Sequence, residues 1–241
     1  MTIEVNPVEY KHRDTVLEAM VAIDTATSQP RPVVLVAHAW GGRDDFAVQK
    51  ARELAKLGYV GFALDLYGKG VLGTSKEENQ SLMAPFLEDR LLLQARMDAS
   101  VQAACELPQS DATNVAAIGY CFGGLCVLDL ARTGAEVNAV VSFHGLFSPP
   151  DNLTGRQIKS RVLVLHGYDD PMADPESMTN LASELTEAGA DWQVHAYGGT
   201  LHAFTNPAAA DPDFGTVYHP LADKRSWRSM VDFLKDSFNH M

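Results

Sequence analysis

The chain reads as a mostly parallel, doubly wound α/β sheet with helices on both faces, and three observations predict it. Five short runs are apolar at consecutive positions and not at alternate ones, which is the pattern of strands covered on both sides. Segments of helical period with start and stop signals lie between those runs. Strand and helix alternate along all 241 residues without a repeat, a low-complexity tract or a linker, so residues 1–241 read as one domain.

The runs are 33–37 (VVLVA), 60–63 (VGFA), 115–118 (VAAI), 139–143 (AVVSF) and 162–166 (VLVLH). Residues 18–22 read as an edge strand near the start, and 191–197 as the last strand. A helix over 45–57 carries Val48, Ala51, Leu54 and Ala55 on one face, with Gly58 just past its end. A second helix spans roughly 88–104, and a third starts at Phe122. Asp174 caps a fourth, which has Pro175 at its first position and is closed by Gly189. Its apolar face is Met178, Leu181, Ala182 and Leu185. Trp227, Met230, Val231, Leu234 and Phe238 recur at helical spacing near the end. Stretches 68–85, 144–160 and 205–220 read as irregular. They follow strand ends or the histidine loop described below, so they are either rims and lids of a ligand site or ordinary surface loops.

Composition narrows the function. Hydrophobic residues make up 46% and charged residues 21%, enough apolar material for a substantial core. A net charge of −12 repels phosphates, which sets aside nucleic acid and an anionic membrane as main partners. A small molecule is the expected partner, since charge inside a pocket can oppose the global sign, and the protein is expected to be a monomer or weak homodimer. The three cysteines, Cys105, Cys121 and Cys126, make no CxxC pair and no His/Cys cluster. That excludes a disulfide framework or zinc site and points to a reduced, cytoplasmic setting. Residues 1–10 lack the basic-then-apolar pattern of a signal peptide, and no run of about 18 apolar residues exists to span a membrane.

The chemistry centres on Gly119-Tyr120-Cys121-Phe122-Gly123. A strand that turns sharply into a helix needs small residues on both sides of the turn, because the central residue is forced into a crowded conformation. Cysteine stands where the usual elbow has serine. A thiol there gains from the positive end of the helix dipole, which favours the nucleophilic thiolate. Such a nucleophile needs a base, and the base an orienting acid, in the chain order nucleophile, acid, histidine. After the VLVLH strand comes His166-Gly167-Tyr168-Asp169-Asp170, and Asp170 stands three residues after Gly167, the spacing of an acid turn. That places Asp170 ahead of Asp169, which then caps the turn or points elsewhere. After the last strand comes Gly198-Gly199-Thr200-Leu201-His202, a loop loose enough to bring His202 over the sheet edge.

An oxyanion hole completes the set: the N–H of Phe122, and a second donor from His38-Ala39-Trp40-Gly41-Gly42, with Trp40 N–H first and Ala39 next. His38 reads as bonded to the loop backbone, His144 as structural, Cys126 as packing and Cys105 as structural. Tyr120 and Phe122 line either the pocket or the core. No cofactor and no metal are called for.

These motifs resemble the dienelactone hydrolase family. The resemblance rests on Gly119-Tyr120-Cys121-Phe122-Gly123-Gly124, the Asp65-Leu66-Tyr67-Gly68 turn, the His-Gly-x-x-Asp turn and the loop at 199–204, and it covers residues 15–238. It implies an α/β-hydrolase fold, a triad of Cys121, His202 and Asp170, and cofactor-free hydrolysis of an ester or lactone. The family carries an activating glutamate where this chain has Ala39. It carries a carboxylate-gripping arginine where this chain has Asn206, and another before the long helix, where Arg90 or Arg96 is the nearest candidate. Ala39, Tyr120, Arg90 and Asn206 are therefore the expected substrate-binding positions. Without those cations a substrate carboxylate binds poorly, so a less charged ester, lactone or thioester is expected instead. The same departures motivate a second reading, a catalytically idle binding protein on the same scaffold. A thiol redox role lacks a resolving cysteine.

Overall fold

A computed structural model describes residues 1–153 and 155–239. The chain divides into two compact units, Met1–Ile118 and Gly119–Met241.

The first unit holds β1 (Ile3–His12), β2 (Thr15–Asp24), β3 (Arg31–Ala37), α1 (Asp45–Lys56), β4 (Val60–Ala63), α2 (Lys76–Glu88), α3 (Arg90–Cys105) and β5 (Ser110–Tyr120), whose last two residues belong to the second unit. Its strands lie in the order β1-β2-β4-β3-β5. β3 and β4 run parallel, with Val33 opposite Val60 and Val36 opposite Ala63, and every residue of β4 is buried. β1 and β2 form a long antiparallel hairpin, and β2 also pairs antiparallel with β4. Residues 18–22, expected at the edge, therefore lie inside the sheet, and β1 is the edge. β1 escapes the sequence pattern because burial hardly selects its residues: Tyr10 is its one buried side chain, and Pro7 sits mid-strand as an edge permits.

α1 starts where Asp44 accepts the Ala47 N–H at 3.1 Å, and Gly58 beyond its end has φ +96°. Part of the irregular stretch 68–85 is in fact α2. Ser75 caps it by accepting the Glu78 N–H, and Glu78 reaches back to the Thr74 N–H and hydroxyl. Pro85, a residue that ordinarily breaks a helix, is accommodated within α2 near its end.

The Asp65-Leu66-Tyr67-Gly68 turn is held by polar groups of its own unit. Asp65 accepts the N–H groups of Tyr67, Gly68 and Glu18. Arg96 donates to the Leu66 carbonyl at 2.6 Å, to the Thr15 hydroxyl and to His12 Nδ1. Arg96 is thus buried in structural bonds, which removes it as a substitute carboxylate grip.

The second unit holds α4 (Phe122–Arg132), β6 (Ala139–Phe143), β7 (Arg161–Gly167), α5 (Pro175–Glu187), β8 (Trp192–Tyr197), a small hairpin of β9 (Ala210–Asp211) and β10 (Thr216–Val217), and α6 (Pro220–Asn239). β6, β7 and β8 are adjacent and parallel. β6 and α4 are buried along their whole length, so the elbow stands on rigid parts. α5 begins as expected, with Asp174 accepting the Ser177 N–H at 2.8 Å and Pro175 in the first turn. The stretch 205–220, expected to be irregular, contains the β9–β10 hairpin and the start of α6. No helix among the described residues is long and apolar enough to cross a membrane.

Candidate active site

β5 ends at Tyr120 and α4 begins at Phe122, so the chain reverses within one residue. That residue is Cys121, at φ 56° and ψ −115°. A side-chain-bearing residue in so sparsely populated a conformation costs on the order of 1–3 kcal/mol, and such strain persists where the surroundings over-determine it. Here Cys121 N–H donates to the Phe143 carbonyl at 3.0 Å, and the Cys121 carbonyl accepts the Gly124 N–H at 2.9 Å. The first glycine of the elbow is required by close approach: a Cβ on Gly119 would collide with the Gly123 carbonyl. Cys121 is half-buried, whereas Cys126 lies wholly in the core.

β7 ends in the acid turn. Asp170 N–H donates to the Gly167 carbonyl at 3.1 Å, and Asp170 Oδ1 accepts the Met172 N–H at 2.8 Å. The other carboxylate oxygen meets His202 Nδ1 at 2.7 Å, with both side chains about 2% exposed or less. Asp169 is exposed, and its carboxylate accepts the Gly199 N–H. The structure therefore joins Asp170, and not Asp169, to the imidazole. The two loops approach closely: a Cβ on Gly167 would sit 2.6 Å from the Thr200 and Leu201 carbonyls.

His202 is held on its far side too. Its N–H donates to Gly215 O at 3.0 Å and its carbonyl accepts the Val217 N–H at 3.1 Å. No motif flagged Gly215 and Val217, because their contribution is main-chain and any sequence that forms the hairpin supplies it. Burial disfavours a charged His202, but the Cys121 charge, the hydrogen bond that His202 donates to Asp170 and the Asp170 charge outweigh it, and its pKa is pushed up to about 10. The sulfur and the imidazole are therefore electrostatic partners.

Two further histidines surround this pair. His144 is 2% exposed, at φ 38°, with Nε2 on the Thr205 hydroxyl at 2.8 Å and its ring edge-on to His202 at 5.2 Å. Burial, then the His202 charge, drives its pKa well down. His166 is fully buried beside Phe147, and burial lowers its pKa as well. Both stay neutral at pH 7, so neither competes with His202 for the proton. No group of three or more His, Cys, Asp or Glu side chains among the described residues is arranged to hold a metal.

The other expected site residues fall differently. Tyr120, expected at the pocket wall or in the core, is 1% exposed and stacked on Phe143 at 4.6 Å, a core position. Asn206 turns its side-chain oxygen to the Ala208 N–H at 2.9 Å, a local turn. Phe122 opens α4 with its ring buried. In the first unit, Ala39 and Trp40 follow β3. Ala39 O accepts from His38 Nδ1 at 2.7 Å, while the Tyr67 hydroxyl donates to Trp40 O at 2.9 Å. His38 Nε2 accepts the Leu66 N–H, so that ring serves the backbone. Arg90 is the half-buried first residue of α3.

Comparison with known proteins agrees with this architecture. A model described as the dienelactone hydrolase family matches residues 17–238. A dienelactone hydrolase-like promiscuous phosphotriesterase from metagenomic libraries is 35% identical, covering 99% of this chain and 100% of its own, with a TM-score of 0.93. An Aquifex aeolicus protein bearing the name carboxymethylenebutenolidase is 29% identical, over 85% of this chain and 87% of its own length. A Klebsiella pneumoniae protein bearing the name dienelactone hydrolase, 21% identical over 98% of this chain and 99% of its own with a TM-score of 0.81, shares the fold. The fold is that of the α/β-hydrolases, a mostly parallel eight-stranded central sheet with helices.

Proposed function

The chain belongs to the dienelactone hydrolase family and is a carboxylic ester or lactone hydrolase of that family, and from this premise we propose that it works through an acyl-cysteine intermediate. The observation that carries the reading is the strained Cys121 electrostatically paired with His202, whose other nitrogen is bonded to buried Asp170 at 2.7 Å.

In the first half-reaction the proton shared by the pair rests on His202, and the Cys121 thiolate attacks the acyl carbon. The carbon–sulfur bond forms as the carbonyl π pair moves to oxygen. Phe122 N–H at the start of α4 holds that oxyanion. The intermediate collapses, the carbon–oxygen bond to the leaving group breaks, and His202 gives its proton to the departing alkoxide. In the second half-reaction neutral His202 takes a proton from water, hydroxide attacks the thioester, and the carboxylic product leaves as the thiolate re-forms. Asp170 keeps the imidazole in one tautomer and orientation throughout.

Replacing Cys121 by Ala is expected to abolish p-nitrophenyl acetate turnover with an unchanged circular dichroism spectrum; retained turnover would end this reading. Asp170→Asn should cut kcat by about 10²-fold or more. Full activity in Asp170→Asn together with loss in Asp169→Asn would reverse the acid assignment. Apparent pKa from iodoacetamide titration separates catalyst from idle binder: a value well under the ordinary thiol value of about 8.5 is expected for a catalyst.

Ala39 and Asn206 stand where the family's charged groups are expected, so we place the substrate among uncharged small esters, lactones and thioesters. A panel of such compounds, each paired with a carboxylate-bearing analogue, should show higher kcat/KM for the uncharged member. A phosphotriester belongs in the panel, because the relative at 35% identity is described as a promiscuous phosphotriesterase.

A further inference from the structure

We propose that Asp169, the aspartate beside the triad acid, is a positioning residue that clasps the histidine loop to the acid turn and so keeps His202 in line with Asp170 and Cys121. The inference rests on the catalytic reading above and adds a residue to it. Its basis is a reciprocal pair of hydrogen bonds: Gly199 N–H donates to Asp169 Oδ2 at 2.6 Å, and Asp169 N–H donates to the Thr200 carbonyl at 3.1 Å. Tyr168 N–H, bonded to the Tyr197 carbonyl at 3.0 Å, extends the seam by one rung toward β8. One end of the clasp is followed directly by Asp170, and the other by His202 two residues after Thr200.

The loop needs such a fastening because of its composition. β8 ends at Tyr197, and the next two residues are both glycine, the second at φ +67°. Two successive glycines give up more backbone freedom on ordering than any other pair, so without a tie this segment samples many conformations. The far side of His202 is anchored by Gly215 and Val217, which leaves the approach from β8 as the side the clasp governs. The added carboxylate is solvent-exposed, and a hydrogen bond of that kind contributes little to folding. A displacement of about 1 Å at a catalytic group can cost up to about 10²-fold in rate, so the larger effect belongs to catalysis.

Asp169→Ala and Asp169→Asn are the variants to compare, using p-nitrophenyl acetate kinetics, thermal unfolding and the pH dependence of iodoacetamide alkylation. For Asp169→Ala we expect kcat to fall about tenfold, with KM within about twofold and a nearly unchanged unfolding midpoint. Its alkylation profile should move toward that of an ordinary thiol near about 8.5, because a wandering imidazolium stabilises the thiolate less. Asn keeps a side-chain oxygen that can accept the Gly199 N–H, so Asp169→Asn should recover most of the lost rate. A folded Asp169→Ala with wild-type kcat and alkylation profile overturns the clasp, and so does an Asp169→Asn as impaired as the Ala variant. Retained turnover in Cys121→Ala would instead sink the catalytic reading, whereas loss there with normal Asp169→Ala sinks the clasp alone.

Discussion

Cys121 shows what a single residue is made to bear. Its backbone sits at φ 56°, where a Cβ is crowded, and hydrogen bonds at its peptide groups to Phe143, Gly124 and Leu125 hold it there. The strain costs the fold on the order of 1–3 kcal/mol and is tolerated because it lifts the sulfur toward the imidazole. Glycine carries no such penalty at positive φ, although it loses about 0.4–1 kcal/mol through the greater freedom of the unfolded chain. Cys121→Gly should therefore be more stable than Cys121→Ala by about 1 kcal/mol, measured as a shift in the urea midpoint at constant m. Both variants should be inactive. A glycine variant less stable than the alanine one would mean that the elbow is relaxed and that strain has no part in presenting the thiol.

Elements differ in how far local chemistry alone decides them. α2 is the clearest case, a short helix with a proline near its end, resting on its cap. Ser75 accepts the Glu78 N–H at 3.1 Å, so Ser75→Ala should cost about 1 kcal/mol in chemical denaturation. A loss of a few tenths or none would mean that packing of Met83 and Phe86 holds α2 without its cap. Ser75 and Glu78 stand at the spacing of a helix start, and Pro85, which ordinarily breaks a helix, lies only three residues before this one ends. The buried strands β3, β4, β6 and β7 were legible because burial on both faces selects apolar residues at every position. β1 was not, since an edge strand with one buried side chain carries no such selection. At the candidate site, the order of Cys121, Asp170 and His202 is legible because their spacing reflects side-chain chemistry, and the last two meet at 2.7 Å. The Gly215 and Val217 contacts and the Asp169 clasp to Gly199 are not, because each involves a main-chain partner that leaves no mark on residue type.

Across the whole molecule, buried imidazoles set how stability responds to pH. His38, His144 and His166 are all held below the ordinary value of 6.5, with burial the first cause in each. The unfolded chain therefore binds more protons than the folded one as pH drops below 6.5, and stability falls toward acid. His202 has the opposite sign: raised from 6.5 to about 10, it is protonated in the fold where it would be neutral in the unfolded chain. Taken alone it would make stability decline from pH 6.5 to about 10. The thiolate changes that window. If Cys121 is ionised in the fold, the folded pair carries one proton, and so does the unfolded pair until its thiol titrates near about 8.5. The proton counts then match up to that point, and the decline is confined to the interval above it, at about 1.4 kcal/mol per pH unit. Unfolding free energy measured against pH should thus show a plateau from about 6.5 to about 8.5, with a fall on either side. In Cys121→Ala the thiolate is gone and with it the strongest influence raising His202, so the loss should start near the ordinary imidazole value and be complete at lower pH. A wild-type curve that already slopes downward from neutrality would mean that the sulfur keeps its proton in the resting protein, and attack would then require His202 to act as a general base on a neutral thiol.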